Sequence, residues 1–235
     1  MLARGPIPGR LETRGLVLSA LLLVWCLTLI AIRVLRTDSP HMLFLVWNLF
    51  LASVPLASSR VLKALNRRGA SRWAQGGLFT LWLLFLPNAP YIVTDLVHLS
   101  PQTGIIYWYD LGMLLSCGAT GLLLGYLSLL DTQQLVEDRF GIAAGWLMAG
   151  GTLMLSGFGV YLGRVMRWNS WDVVTDPLRL FASVAGFFLH MRSHLHTIVV
   201  TLLFGVGLVL GYAALHFLAA VGGQRREHAG RESTG

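Results

Sequence analysis

Hydrophobic residues in this chain form six long runs, separated by short segments that hold most of the charged residues. A run of about 20 apolar residues crosses the roughly 30 Å hydrocarbon of a bilayer as a helix. The pattern therefore predicts an all-α, polytopic transmembrane bundle of about six spans. The predicted spans cover 16–32, 41–57, a third that starts at Trp73, 105–130, 142–162 and 198–220. The alternation typical of a membrane β-strand is absent from the sequence, which leaves helices to satisfy the backbone in lipid.

The third run is interrupted by two prolines in residues 85–99, which read FLPNAPYIVTDLVHL. Pro87 and Pro90 lack an amide hydrogen, and each disfavours helix in the residue before it, so carbonyl groups in the preceding turn lose their partners. Freed carbonyl groups at membrane depth are tolerated only where protein or a water-filled cavity satisfies them. We therefore expect a broken helix near one face of the bilayer, with the candidate site of the chain beside it.

Polar side chains follow this break at helical spacing. We expect Asn88 to cap a short helix that restarts near Pro90. On that helix Asp95 and His98 lie three residues apart, on one face. The alternative is a kinked helix end in which Tyr91 is an interfacial anchor and the acid and histidine are solvated.

The longest connection, residues 164–196, lies between the fifth and sixth runs. Apolar residues recur in it at helical spacing, at Leu178, Phe181, Val184 and Phe188. The segment is short for a crossing, so we predict an amphipathic, interfacial helix before the last span. The alternative is a seventh span through residues 178–191, which would place the C-terminus on the other side of the membrane.

Composition and charge support the membrane class. Of the 235 residues 55% are hydrophobic and 12% are charged, and the net charge is +7. The basic residues cluster between the runs, so we expect membrane lipids as partners and no nucleic acid. A basic stretch at 60–72 and an acidic one at 131–139 are predicted as links between spans. Lys and Arg are more numerous on the side of the termini, which predicts both termini in the cytoplasm. We divide the chain into a cytoplasmic segment 1–15, a transmembrane domain 16–221 and a disordered cytoplasmic tail 222–235.

Small residues at GxxxG spacing recur in the predicted spans. The pairs are Gly121 with Gly125, Gly141 with Gly145, Gly159 with Gly163, and Gly207 with Gly211. Such pairs let helices approach closely in lipid. Packing within the bundle explains them as well as a homo-oligomer or another membrane partner does. Cys26 and Cys117 lie inside apolar runs without CxxC spacing, and we expect no structural disulfide.

Asp110 lies early in an otherwise apolar span, where an acid needs a partner or water. We expect the partners to be Arg164 and Arg167, which emerge together from the fifth span. This pairing would act either as a salt bridge that locks two helices or as a clamp for the carboxylate or phosphate of a ligand.

A polar and aromatic patch follows those arginines, at Trp168, Asn169, Ser170, Trp171 and Asp172. Tryptophan at a membrane surface is ordinarily an interfacial anchor. The neighbouring Asn and Asp side chains add hydrogen-bonding capacity that anchoring does not need, so binding of a lipid headgroup or a sugar is the alternative.

Three histidines in the long connection raise the question of a metal. His190 and His194 have the i and i+4 spacing of two ligands on one helix face, and His196 follows them. Met191 stands where an HExxH helix carries its glutamate, and the segment also fits interfacial histidines. We predict neither a metal nor a cofactor. The sequence contains no GxSxG nucleophile motif and no glycine-rich phosphate loop, so familiar hydrolase and nucleotide chemistry is not supported.

Three stretches of the chain carry a resemblance to a known family. They are Trp47-Asn-Leu49, residues 85–95 with His98, and Arg164 through Asp172. Through them, roughly residues 42–217 resemble the bacterial multi-span membrane family catalogued as domain of unknown function 1361. The resemblance implies a polytopic protein of a bacterial cytoplasmic membrane. It supplies no activity, substrate or catalytic residue.

The sequence as a whole predicts an integral membrane protein with a polar site at its outer face. The candidate ligand-binding residues are Asn88, Tyr91, Asp95, His98, Asp110, Arg164, Arg167, Trp168, Asn169, Trp171 and Asp172. The first hypothesis is a binding, transport or accessory role, in which the site holds a lipid headgroup or another anionic or amphipathic ligand. The second is a membrane-embedded enzyme acting on a lipid-linked substrate, with Asp95, His98 or Asp110 as general acid or base. The third is a purely structural scaffold.

Overall fold

The computed structural model describes residues 9–37, 40–99, 104–189 and 195–232, with side chains described except at 9–12, 174, 187–189, 195–197 and 219–232. Helices make up almost all of these residues, and no strand occurs among them. The α-helices are α1 (Gly9–Thr37), α2 (Phe44–Arg67), α3 (Arg72–Phe85), α4 (Asn88–Tyr91), α5 (Ile105–Phe140), α6 (Ile142–Arg164), α7 (Asp172–Thr175), α8 (Pro177–Leu189) and α9 (Leu195–Glu232). Two 3-10 helices, Pro40–Met42 and Ile92–His98, lie before α2 and after α4.

Six of the described helical segments are long and apolar enough to cross a membrane. They are Thr13–Thr37, Pro40–Arg67, Arg72–His98, Ile105–Phe140, Ile142–Arg164 and Ile198–Leu218. The chain is therefore a multi-pass membrane protein, and the predicted six-span helical bundle is confirmed. The predicted helix before the last span is α8, whose 13 residues are too few for a crossing. Leu178 and Phe181 of α8 are exposed, and its location at the membrane interface stays a prediction.

Helix α5 is the centre of the bundle, because α1, α2, α4 and α6 all pack against it. It continues unbroken for 36 residues and ends at Gly141, whose φ of +90° suits glycine. The predicted acidic link at 131–139 is therefore wrong, because these residues continue α5 and Asp131 is buried. Asp110 and Asp131 lie about 32 Å apart along the helix, at about 1.5 Å per residue, which matches the hydrocarbon thickness of a bilayer.

Helix α2 also continues beyond its predicted span, to Arg67. Arg60 and Lys63, which the hydropathy pattern assigns to a link, lie near its end and pair with Asp131 of α5. Charged side chains end a hydropathy run, whereas a helix continues wherever those side chains find partners. The turn from α2 to α3 is consequently shorter than predicted and covers residues 68–71.

The third span is broken where its prolines predict. Helix α3 ends at Phe85, α4 makes a single turn, and a 3-10 helix carries the chain to His98. On one side this broken segment packs closely against α5. A Cβ on Gly121 would lie 2.6 Å from the carbonyl oxygen of Ala89, and a Cβ on Gly125 would lie 2.8 Å from the Ala89 side chain.

A second glycine pair receives the broken segment on its other side, from α6. A Cβ on Gly159 would lie 2.7 Å from Pro87, and a Cβ on Gly163 would lie 3.0 Å from the Tyr91 ring. Helix α4 is thus clamped between α5 and α6 at separations that a larger side chain would not allow. Two of the four GxxxG pairs therefore serve packing within the bundle.

The remaining glycine pairs have mixed environments. Gly211 packs against Tyr126, whereas nothing lies within 4 Å of a Cβ on Gly207. A homo-oligomer or membrane partner through such a face stays a prediction.

Cys26 and Cys117 are buried free thiols in the core shared by α1 and α5.

Candidate functional site

Asp95 is the hub of the polar contacts at the end of the bundle where α2 begins and α6 ends. Its side chain is only 1% exposed, on the 3-10 helix that follows the break. The amide nitrogen of Asn48 donates to Asp95 Oδ2 at 2.7 Å, and Arg164 donates to Oδ1. His98 Nδ1 lies 3.9 Å from the same Oδ1. We call Asn48, Thr94, Asp95, His98 and Arg164 the Asp95 cluster. The cation and the amide replace the water that a buried carboxylate loses.

The guanidinium of Arg164 is held from several directions. Its Nε and Nη2 donate to Thr94 Oγ1 at 2.9 and 2.7 Å, Nη2 also donates to Asp95, and the group lies 4.5 Å from the centre of the Tyr91 ring. Within the described part of the chain Nη1 has no hydrogen-bond acceptor, and the side chain is 24% exposed. The arginine is therefore oriented by the protein and still offers N–H groups to a ligand.

Asn88 ties the broken span to the loop after α6. Its amide nitrogen donates to the Phe85 carbonyl oxygen and to Ser170 Oγ, both at 2.9 Å. The predicted capping role is wrong, because no side-chain cap forms at the start of α4. Asn88 instead satisfies a carbonyl group that the break leaves without its helical donor, since the Ala89 N–H donates to Leu86.

Two tryptophans meet beside the Asp95 cluster. The rings of Trp47 and Trp171 have centroids 6.2 Å apart and planes inclined by 62°, and the residues are 53% and 37% exposed. Trp47 directly precedes Asn48, and Trp171 directly follows Ser170. The aromatic pair is therefore attached to α2 and to the loop that Asn88 holds.

The other residues of the predicted patch lie along the loop that follows α6. Asp172 accepts the Asn169 N–H at 2.6 Å and the Thr175 hydroxyl at 3.2 Å, and these bonds organise the start of α7. Arg167 is exposed and has a φ of +60°, a conformation that non-glycine residues rarely adopt. Trp168 is half-buried.

Asp110 has a different partner from the one predicted. Arg33, near the end of α1, donates to both of its carboxylate oxygens, at 2.5 and 2.9 Å. Among the described residues Asp110 pairs with neither Arg164 nor Arg167, so the expected pairing is wrong. The physical reason is that Asp95 occupies Arg164, while α1 packs along α5 and brings Arg33 to Asp110. The acid is therefore part of a separate salt bridge between α1 and α5.

A second buried charge cluster lies at the opposite end of the bundle. Lys63 Nζ donates to Asp131 Oδ1 at 2.9 Å and to Gln134 Oε1 at 3.2 Å, while Arg60 Nε lies 2.7 Å from Asp131 Oδ2. Ser59 donates to the same Oδ2 at 3.4 Å. We call Ser59, Arg60, Lys63, Asp131 and Gln134 the Asp131 cluster. It was not predicted, because its members fall in the segments that hydropathy assigns to links.

The histidines of the long connection add no contacts to this description. His190 and His194 lie outside the described residues, as does the side chain of His196. Among the residues that are described, no group of three or more His, Cys, Asp or Glu is arranged to hold a metal ion. The absence of a metal and of a cofactor stays a prediction.

The comparison with protein families agrees with the three motifs. A family model described as Protein of unknown function (DUF1361) matches residues 47–211, well over half of the chain. The chain belongs to the DUF1361 family. The predicted resemblance is thereby confirmed, while a bacterial origin stays a prediction. The region shared with DUF1361 contains the Asp95 cluster and both tryptophans, whereas α1 with Arg33 lies outside it. No curated protein and no solved structure matches the chain.

The candidate residues predicted for this DUF1361 protein omit several that shape the Asp95 cluster. Asn48, Thr94, Trp47 and Ser170 all make side-chain contacts at this end of the bundle. A signal existed for Asn48, because an amide inside an apolar run needs a polar partner. Thr94 carries no such signal, since threonine is common in membrane helices and usually bonds its own backbone.

Proposed function

We propose that this membrane protein binds a phosphate-bearing lipid headgroup at the Asp95 cluster, in a binding, transport or accessory role. The observation that carries the proposal is Arg164. Thr94, Asp95 and Tyr91 orient its guanidinium through Nε, Nη2 and the ring face, and its side chain is 24% exposed. The planar fork of arginine matches a phosphate, and a phosphate oxygen at Nη1 would accept a charge-assisted hydrogen bond.

The broken third span supports a binding role at this depth. Irregular backbone in a membrane protein is tolerated where it is buried in protein or lines a wet cavity. A buried acid with a cation partner is a frequent feature of substrate and ion sites in membranes. Asp95 has both properties, since it lies on the 3-10 helix after the break and pairs with Arg164.

The proposal includes an orientation in the membrane. The Asp95 cluster would face the outside of a bacterial cytoplasmic membrane, with both termini in the cytoplasm. The exposed Arg67, Arg68 and Arg72 support this orientation, because they lie at the end of the bundle that holds the Asp131 cluster. Exposed basic residues in short connections favour the cytoplasmic side.

The test measures binding of dihexanoyl phosphatidic acid to the purified full chain in a maltoside detergent. The Arg164→Lys variant keeps the positive charge and removes the planar fork. We expect its affinity to fall about tenfold, the effect of losing one charge-assisted hydrogen bond. The matched control is Arg33→Lys, which alters another arginine that forms a salt bridge with a buried acid at the same end of the bundle. Its affinity should equal that of the wild type.

Two results would contradict this proposal. One is unchanged affinity in Arg164→Lys, which would show that the guanidinium does not contact the phosphate. The other is an equal loss in both variants, which would report a general effect of charge or stability. Thermal unfolding of each variant in the same detergent shows whether it is folded during the titration.

A structural scaffold is the second candidate, favoured by the pairing of the buried acids. Asp95, Asp110 and Asp131 each have a cation partner, as in helices locked by salt bridges. Under this alternative the wild type binds no headgroup, and Arg164→Lys lowers only the unfolding temperature. The enzymatic alternative has no specific observation in its favour among the described residues.

A further inference from the structure

We infer that the bound headgroup is a zwitterion, with its phosphate at Arg164 and an ammonium group against the rings of Trp47 and Trp171. The inference rests on the proposed function and adds the second charged group of the ligand. Three features carry it: the balance of the described charges at the site, the inclined pair of tryptophans and the carboxylate that follows Trp171 in the chain.

The charges of the described acidic and basic side chains assigned to the site cancel. Asp95 and Arg164 form an ion pair, and Arg167 and Asp172 in the adjoining loop add one charge of each sign. Complementary potentials select partners, and a site without net charge has no long-range preference for an anion. A headgroup whose phosphate and ammonium charges also cancel matches this site better than a headgroup that carries phosphate alone.

The two tryptophans form an open aromatic corner. Their planes are inclined by 62°, their centroids are 6.2 Å apart, and both rings are substantially exposed. The ring centroids of Phe50 and Trp47 lie 5.3 Å apart, so Phe50 enlarges the aromatic surface. Tryptophan is the aromatic side chain that attracts cations most strongly, and inclined rings enclose quaternary ammonium groups in aromatic cages. The corner therefore suits an ammonium group.

A carboxylate follows this corner in the sequence. Asp172 directly follows Trp171, and the bonds from Asn169 and Thr175 hold its side chain in place. The two bonds leave the negative charge of the carboxylate in place, and that charge attracts a quaternary ammonium group without a hydrogen bond. A carboxylate near aromatic rings strengthens the attraction for a cation.

The corner and the phosphate site are connected through the protein. Trp47 precedes Asn48, and Asn48 donates to the carboxylate that orients Arg164. On the other side, Trp171 follows Ser170, which Asn88 holds against the broken span. Each tryptophan is therefore one residue along the chain from a side chain that contacts the broken span, Asn48 at Asp95 and Ser170 at Asn88.

Trp108 provides an internal comparison for simple membrane anchoring. It is 69% exposed at the same end of the bundle and also meets an aromatic ring edge to face, that of Tyr107 at 5.6 Å. It lies on α5, two residues before Asp110, and is not attached to the Asp95 cluster. If tryptophans at this depth serve only as anchors, Trp108 and Trp171 should respond alike to substitution.

The experiment measures the affinity of the purified full chain in maltoside for dihexanoyl phosphatidylcholine, dihexanoyl phosphatidic acid and free phosphocholine. We expect the wild type to bind the phosphatidylcholine about tenfold more tightly than the phosphatidic acid. Trp171→Leu should abolish that preference by lowering only the affinity for phosphatidylcholine. Trp171→Phe should keep part of the preference, and Trp108→Leu should behave as the wild type.

The outcomes separate this inference from the proposed function. Equal affinity of the wild type for the two lipids overturns the zwitterion and leaves the phosphate contact intact. The same conclusion follows if Trp171→Leu and Trp108→Leu change the affinity for phosphatidylcholine equally. Failure of the wild type to bind either lipid overturns the proposed function and the inference with it. Free phosphocholine bound as tightly as the lipid supports the phosphate and ammonium chemistry and identifies a soluble ligand as its source. Much weaker binding of phosphocholine than of the lipid supports a membrane lipid.

Discussion

The two buried charge clusters use similar chemistry in different backbone settings. In the Asp131 cluster the acid lies within α5 and both cations lie on α2, so two continuous helices carry all the charges. In the Asp95 cluster the acid lies on a 3-10 helix after a break, and its cation lies at the last residue of α6. The cations of the Asp131 cluster are 9% exposed at Lys63 and 21% exposed at Arg60, and Arg164 is 24% exposed.

The backbone setting of a buried charge determines whether a binding site can form beside it. Side chains on two packed continuous helices surround each other and leave little room for a ligand. A broken helix ends its hydrogen-bond ladder, and a helix terminus lets its last side chain reach both the protein and the exterior. We therefore interpret the Asp131 cluster as a lock between α2 and α5, and the Asp95 cluster as the ligand site.

The largest expected effect tests the lock. Asp131→Ala leaves Arg60 and Lys63 without their carboxylate in a buried setting. We expect the free energy of unfolding to fall by about 3–5 kcal/mol, as for other buried pairs that lose one partner. The measurement is reversible unfolding in mixed micelles. Asp138→Ala alters an exposed acid of the same helix and should change stability by less than about 0.5 kcal/mol. Similar small losses in both variants would show that Asp131 is not a lock.

An intermediate effect is expected where α5 supports the broken span. A Cβ on Gly121 meets the carbonyl oxygen of Ala89, which is backbone and cannot rotate away. Gly121→Ala should therefore destabilise the fold by about 1–3 kcal/mol through overpacking and should also weaken headgroup binding. Gly112→Ala is the matched control, because nothing lies within 4 Å of its Cβ on the same helix. If Gly121→Ala and Gly112→Ala are equally stable and bind the headgroup equally well, close packing at Gly121 does not support the broken span.

The smallest effect concerns the contact that α2 makes with the Asp95 cluster. Asn48→Ala removes one hydrogen bond to Asp95 and leaves the bond from Arg164 in place. We expect a loss of about 1 kcal/mol in unfolding free energy, since one hydrogen bond is worth about that much. Asn66→Ala, at the exposed end of the same helix, should have no measurable effect. An Asn48 variant as stable as the Asn66 variant would show that this bond contributes nothing to the cluster.

The fold could be predicted from hydropathy to a large extent, and the helix ends could not. Six runs of sufficient length became six spans because lipid leaves the backbone no alternative to helix. The second and fourth predicted runs end shortly before Arg60 and Asp131, although α2 continues through Lys63 and α5 through Asp131. Whether a charged residue ends a helix or extends it depends on a partner from another helix, and a hydropathy window does not contain that partner.

The membrane class, the proline break and the candidates Asp95 and Arg164 can be predicted from the sequence alone, because composition and proline chemistry act locally. The pairing of Arg164 with Asp95 and of Arg33 with Asp110 depends on how the helices pack. The packing also decides which glycines receive the broken span, between α5 and α6. The physical reason is that an arginine is equally able to pair with any buried acid, so the choice depends on which helix ends the packing brings together.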